Sequence, residues 1–138
     1  MPVYLLDTNV ISDLMAEHPR AKSRLRTTTG HIVTSVIVCG EVRYGLERIP
    51  AGKRRDNLRA KANNVLRALT CENVTEPIAD IYADLRADSE TKGLALDDND
   101  LWIAATALAL NAILVSRDAD FARTGRIHVE DSSQQAIR

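Results

Sequence analysis

Four acidic residues, Asp7, Glu41, Asp100 and Asp118, are spread over most of a 138-residue chain, yet each stands where a fold could bring it to the others. Asp7 ends the apolar run Val3-Tyr4-Leu5-Leu6 and Asp118 follows Ala112-Ile113-Leu114-Val115-Ser116, so both fall at the C-terminal ends of predicted strands. Asp100 opens an apolar helix ahead of the second of these strands. Glu41 lies one to two turns into a helix that follows the β-branched segment His31-Ile32-Val33-Thr34-Ser35-Val36. Gathered carboxylates repel and raise one another's pKa, so such a set ordinarily needs a cation to stay ionised together. Oxygen donors with few histidines suit Mg²⁺, with Mn²⁺ as a substitute, rather than zinc. A divalent ion held this way can align water for attack on a phosphodiester and neutralise charge on the phosphorus oxygens and the leaving group.

Taken singly, each acid also has an ordinary structural reading. Asp7 would serve as an Asx turn or N-cap, Asp100 as an N-cap or first-turn residue facing the helix dipole, Asp118 as a turn former and Glu41 as a boundary residue reaching to solvent. The chemical reading gains from topology, because sites in open parallel sheets form beyond the C-terminal ends of strands, often where the strand order switches. The segment "LDDNDLWIAATA" at 96–107 then has a purpose: one of its aspartates, Asp100, faces a metal. Asp97 and Asp98 are expected as solvated charges of the loop or first turn, and Trp102 as a core residue rather than a base-stacking platform.

The elements that must position these residues alternate. Val10, Ile11, Leu14 and Met15 predict a short first helix closed by His18-Pro19. Val38, Val42 and Leu46 continue the second strand as a helix, broken at Pro50-Ala51-Gly52. Leu58, Ala62, Val65, Leu66 and Leu69 form the apolar stripe of an amphipathic helix whose other surface carries Arg54, Arg55, Arg59, Lys61 and Arg67. Ile78, Ile81, Tyr82 and Leu85 mark a further helix ending at Lys92-Gly93, and Asn111 is the expected stop of the apolar helix that starts at Asp100. Ile127-His128-Val129 reads as a last short strand. Strands alternating with helices predict a parallel α/β sheet with helices on both faces, and the length suits one domain spanning 1–138.

Composition bounds the rest. The chain is 45% hydrophobic and 27% charged, with no apolar run long enough to span a bilayer and no signal-peptide pattern at its start, so a cytoplasmic protein is expected. Residues 43–67 hold eight Arg or Lys against Glu47 and Asp56, a distribution that suits either a polyanion-binding face or a solvated basic helix. Cys39 and Cys71 lack the spacing and histidines of a zinc site, and in a reducing compartment they are expected as small buried or half-buried thiols without a disulfide. His18, His31 and His128 are scattered, and nothing marks any of them as a general base.

The runs "LLDTNVIS" at 5–12, "GEVRYGLERIPAGKRR" at 40–55, "NDLWIAATALALNAILVSRDADF" at 99–121 and "GRIHVED" near the end together resemble a PIN-domain protein of the VapC toxin type. The resemblance covers nearly the whole chain in the expected order. It implies a PIN-like three-layer α/β/α fold with a central, mainly parallel twisted sheet. It implies a Mg²⁺- or Mn²⁺-dependent endoribonuclease, the toxic half of a type II toxin–antitoxin pair, cutting tRNA, rRNA or mRNA and neutralised by a VapB-like antitoxin. It further implies a homodimer, and a toxin–antitoxin hetero-oligomer that binds operator DNA through the antitoxin.

Position by position, the resemblance implies that Asp7 and Asp100 contact the metal directly. Glu41 and Asp118 would act through water or a second ion, with Asn9 supporting Asp7 and Ser116 standing beside Asp118. Asp120 could share or take the role of Asp118. Two other readings stay open: a Mg²⁺-dependent phosphatase-like hydrolase, against which stand the missing glycine-rich phosphate loop and the lack of room for a cap domain, and a catalytically silent binding module, against which stand four intact acids.

Overall fold

The computed structural model describes residues 1–133 and is built on five strands, β1 (Val3–Leu6), β2 (His31–Ser35), β3 (Thr70–Glu72), β4 (Ile113–Ser116) and β5 (Val129–Asp131). They form one sheet in the order β3-β2-β1-β4-β5, and every pairing is parallel. The chain therefore builds outward from β1 to β3 on one side, then crosses to the other side for β4 and β5. The switch in direction lies between β1 and β4, where Leu6 pairs with Val115 and the Asp7 N–H donates to the Val115 carbonyl at 3.0 Å.

Six α-helices flank the sheet: α1 (Thr8–Met15), α2 (Pro19–Thr27), α3 (Val36–Glu47), α4 (Lys53–Arg67), α5 (Glu76–Lys92) and α6 (Asp98–Ala109), with a 3₁₀ segment at Ala119–Thr124. Helix α1 packs on α2, α3 and α4, while α6 packs on α5 and α3. Leu5, Ile11, Val38, Leu85, Ile103, Leu114 and Phe121 are wholly buried between these layers. Parallel strands covered on both faces need apolar residues almost continuously, which is why β1 and β4 carry so few polar ones. Helix α6 buries Leu101 and every residue from Ile103 to Ala107, as its all-round apolar pattern predicts.

The helix stops follow from local chemistry. Gly93 (φ 69°) and Asn111 (φ 51°) both take the left-handed conformation, and in each case the next N–H reaches back five residues, Leu94 to the Ser89 carbonyl and Ala112 to that of Ala107. This satisfies carbonyls that the ending helix would leave orphaned. No helix among the described residues is long and apolar enough to cross a membrane.

Several expectations need correction. Helix α1 already stops at Met15, where Glu17 takes a left-handed conformation (φ 56°), and Pro19 instead opens α2, since a proline at the first helical position loses no needed hydrogen bond. Strand β3 had no counterpart in the sequence reading. The last strand lies at Val129–Asp131, shifted two residues from Ile127-His128-Val129. Helix α6 begins at Asp98 rather than Asp100, with Asp97 as its N-cap accepting from the Asp100 N–H at 2.8 Å. Asp98 is exposed but not merely solvated: it accepts from the Tyr82 hydroxyl at 2.7 Å and pairs with Arg86 at 3.2 Å. Trp102 is half-buried, its ring stacked on Tyr82 with centroids 3.8 Å apart.

The cysteines also differ from expectation. Both are free and Cys39 is half-buried, but Cys71 is exposed. Their sulfurs lie 3.1 Å apart across 32 positions of sequence. Burial, with the neighbouring Cys71 thiol, pushes the Cys39 thiol up to about 12.

Candidate active site

Asp7 is the pivot of the site. It occupies the N-cap position of α1 with extended backbone angles, yet its side chain makes no cap hydrogen bond. Its carboxylate turns instead toward β4, where Oδ2 accepts from the Ser116 hydroxyl at 2.7 Å and from Asn9 Nδ2 at 3.1 Å. At 5% exposure this is a buried charge, and burial pushes its carboxyl up. The Ser116 and Thr8 hydrogen bonds draw it back, while Glu41 and Asp118 add repulsion.

Asn9 and Ser116 complete this corner. Asn9 Nδ2 also donates to Ser116 Oγ at 3.1 Å, and Asn9 Oδ1 accepts from the Arg117 N–H. Ser116 Oγ, having given its proton to Asp7, accepts from the Asp118 N–H at 3.0 Å. One hydroxyl thus joins Asp7, Asn9 and the backbone that carries Asp118. The two residues expected to support the acids lie among them.

Glu41 reaches the same region from α3. Its Oε1 accepts from the Thr8 hydroxyl at 2.5 Å and its Oε2 from Asn99 Nδ2 at 3.2 Å, so each oxygen is held by a different element. Asp100 projects from the first turn of α6 and is half-buried. Burial and then the charges of Asp97, Asp7, Asp118 and Glu41 push its carboxyl up to about 7. The mutual influence of these groups shows that one end of the sheet gathers the acids of β1, α3, α6 and the turn after β4.

Asp118 and Asp120 separate in behaviour. Asp118 caps the 3₁₀ segment by accepting from the Asp120 N–H at 2.9 Å, and its charge is felt by both Asp7 and Asp100. Asp120 is paired at 3.2 Å with Arg123.

Among the described residues, no three Asp, Glu, His or Cys side chains converge as tightly as a finished metal-binding site requires. The hydrogen bonds explain part of this, since Asp7 and Glu41 are turned toward Ser116, Asn9, Thr8 and Asn99. Chemically the donor set still fits a hard divalent cation. It is made of oxygens, and a positive charge there would relieve the repulsion that holds Asp100 protonated to near neutrality.

Two residues of this arrangement were not singled out by sequence reasoning, and a third, Asp97, was expected only as a solvated charge. Thr8 and Asn99 grip Glu41, and Asp97 both caps α6 and repels Asp100. Their signal was adjacency to an acid already chosen, Thr8 following Asp7 and Asn99 preceding Asp100. An apolar groove lies elsewhere, between α1, α2 and the sheet, lined by residues including Leu14, Leu25 and Ile32, and none of the four acids borders it. The basic helix α4 is partly neutralised, Arg59 by Glu47 and Lys61 by Glu17, while Lys53, Arg54 and Arg67 stand exposed.

Residues 4–127 match the PIN domain family, and Ribonuclease VapC2 of Rickettsia felis is 30% identical over 133 residues, covering 94% of this chain and 97% of its own. The chain is a PIN-domain protein of the VapC type. A VapC ribonuclease of Sinorhizobium fredii is 36% identical over 120 residues, covering 83% of this PIN domain and 86% of the relative. Among solved structures, the VapBC2 complex of Rickettsia felis bound to a promoter DNA fragment superposes with a TM-score of 0.85 at 29% identity, covering 94% of this chain and 98% of that one. The FitAB complex bound to a DNA fragment gives 0.83 at 26% identity, covering 97% and 98%. The PIN fold and three-layer architecture expected from sequence are thereby established, and the sheet, expected to be mainly parallel, is parallel at every pairing.

Proposed function

We propose that this PIN domain is a metal-dependent endoribonuclease, the toxic component of a type II toxin–antitoxin pair. The observation that carries the reading is the set of four carboxylates at the β1/β4 switch point, with Asp100 pushed up to about 7 by burial and its neighbours' charges. Ribonuclease relatives of nearly full coverage support the substrate class, an RNA phosphodiester.

Asp7 and Asp100 would hold Mg²⁺, or Mn²⁺ in its place, with Glu41 and Asp118 acting through water. Bound there, the cation would supply Lewis-acid stabilisation of charge on the phosphorus oxygens. The chain's own residues do the rest. Ser116 and Asn9 hold the Asp7 carboxylate in place, and the Ser116 hydrogen bond opposes part of the rise that burial imposes on it. Thr8 and Asn99 hold Glu41, whose carboxylate would help orient the attacking water. Asp118 is assigned as the fourth acid because its charge reaches Asp7 and Asp100 whereas Asp120 is paired with Arg123. The exposed cations of α4 would counter the repulsion between an acidic site and an RNA backbone.

The toxin–antitoxin complexes among the structural relatives support a VapB-like antitoxin as partner and operator DNA bound through it. A homodimer is part of the same reading. The test is cleavage of total bacterial RNA by antitoxin-free protein and by the Asp100→Asn variant, with Mg²⁺, with Mn²⁺ and with EDTA. Discrete fragments that need the metal and vanish in the variant are expected. Equal cleavage by both proteins, or cleavage that EDTA leaves untouched, overturns the assignment.

A further inference from the structure

Cys39 and Cys71 are separated by 32 positions yet place their sulfurs 3.1 Å apart. Both are free, and Cys71 is exposed. Cys71 lies on the edge strand β3, where it pairs with Thr34 of β2, and Cys39 lies in the first turns of α3, directly after β2. The approach is therefore set by the β2–β3 ladder and the strand-to-helix turn at Ser35, not by flexible loops. A disulfide bond is about 2.05 Å long, so closing the pair asks the two sulfurs to approach by only about 1 Å.

We infer that Cys39 and Cys71 form a redox modification site, a preassembled dithiol that reacts with a low-molecular-weight disulfide and closes to an intramolecular disulfide. The exposed Cys71 sulfur, as thiolate, attacks one sulfur of the incoming RSSR. The RS–SR bond breaks, one RS⁻ leaves and takes up a proton, and a mixed disulfide remains on Cys71. The Cys39 sulfur then attacks the Cys71 sulfur, passes its proton to the departing RS⁻ and completes the bond. The two cysteines together lose two electrons, and RSSR is reduced to two RSH. The second step is intramolecular and joins sulfurs that already lie 3.1 Å apart, so the mixed disulfide gives way to the closed bond.

Disulfides of this kind in reducing compartments are transient and redox-sensing. Here the closed loop would hold the rest of α3, including Glu41, and all of α4. Oxidation would thus tie the segment that bears one acid and the basic face to the edge of the sheet. The modification itself does not depend on the proposed nuclease activity.

The experiment exposes the full chain to mixtures of oxidised and reduced glutathione, alkylates the remaining free thiols and reads intact mass, non-reducing electrophoresis and disulfide-linked peptides. The wild-type protein should lose both free thiols without gaining glutathione, remain a single chain, yield a peptide pair joining residues 39 and 71, and be restored by dithiothreitol. Cys39→Ser should instead accumulate glutathione on Cys71. Cys71→Ser, at an exposed position that leaves folding intact, should keep Cys39 open to alkylation. Wild-type protein that stops at a glutathione adduct, keeps both thiols free or links two chains to each other overturns the inference.

Discussion

The two halves of the acid cluster are built on opposite principles. Around Asp7 the hydrogen bonds are many: Oδ2 accepts from Ser116 and Asn9, and the backbone N–H groups of residues 117 and 118 tie those two side chains in, offsetting part of the rise that burial imposes. Around Asp100 the balance is repulsive, with burial and four neighbouring carboxylates against one side chain. A satisfied corner contributes to folding by itself, whereas a repulsive one costs stability until something positive arrives. The difference gives Ser116 and Asn9 the structural role at the β1/β4 corner and makes the demand for a cation sharpest at the first turn of α6.

Substitution on the repulsive side should show the largest effect. Asp100→Asn keeps volume and removes charge, and RNA cleavage should fall by roughly 10²–10³-fold with the fold intact by circular dichroism. Next come the groups that grip Glu41. Thr8→Val and Asn99→Ala should each lower the cleavage rate by roughly 10–100-fold, as outer hydrogen-bond partners of such sites do. Their melting temperatures should move little, and a large drop in melting temperature would return both residues to a purely structural role.

Ser116→Ala attacks the satisfied corner and should cost about 1–3 kcal/mol in denaturant unfolding, because it strips the buried Asp7 carboxylate of its shortest hydrogen bond. A neutral result would mean that the network is not what holds β1 to β4.

The linkage sign sharpens the contrast from the other side. Asp100 has its folded-state carboxyl raised from 3.8 to about 7, so between those values the folded chain binds more protons than the unfolded one and stability falls as pH rises. Without divalent ions, Asp100→Asn should therefore melt higher than wild type at pH 7, by roughly 2–5 °C, and the gain should disappear near pH 4. Added Mg²⁺ should raise the melting temperature of wild type and not of the variant. The smallest change is expected for Asp120→Asn, where loss of an exposed pair with Arg123 should leave cleavage and stability nearly as they were.

Much of this was legible beforehand for a physical reason. Asp7 and Asp118 stand immediately beyond apolar runs, and strand ends in a parallel sheet are where sites form. What escaped notice lacked a pattern. Helix α2 buries no residue, so "PRAKSRLRT" offers no apolar stripe, and its proline reads as a stop when taken alone. Strand β3 is three residues of an edge, without the continuous apolar run that marks β1 and β4. Thr8, Asn99 and the Cys39–Cys71 pair depend on contacts between positions far apart in the chain, and no local periodicity encodes those.

The strand order has a consequence for the life of the molecule. Ser116, which secures Asp7, follows it by 109 positions, so this corner joins β1 to a segment made long after it. A chain halted between α3 and β4 holds Asp7 and Glu41 but lacks both Ser116, which secures the first, and Asp118. The corner is therefore completed only once β4 has been made, whatever the order in which the earlier elements fold.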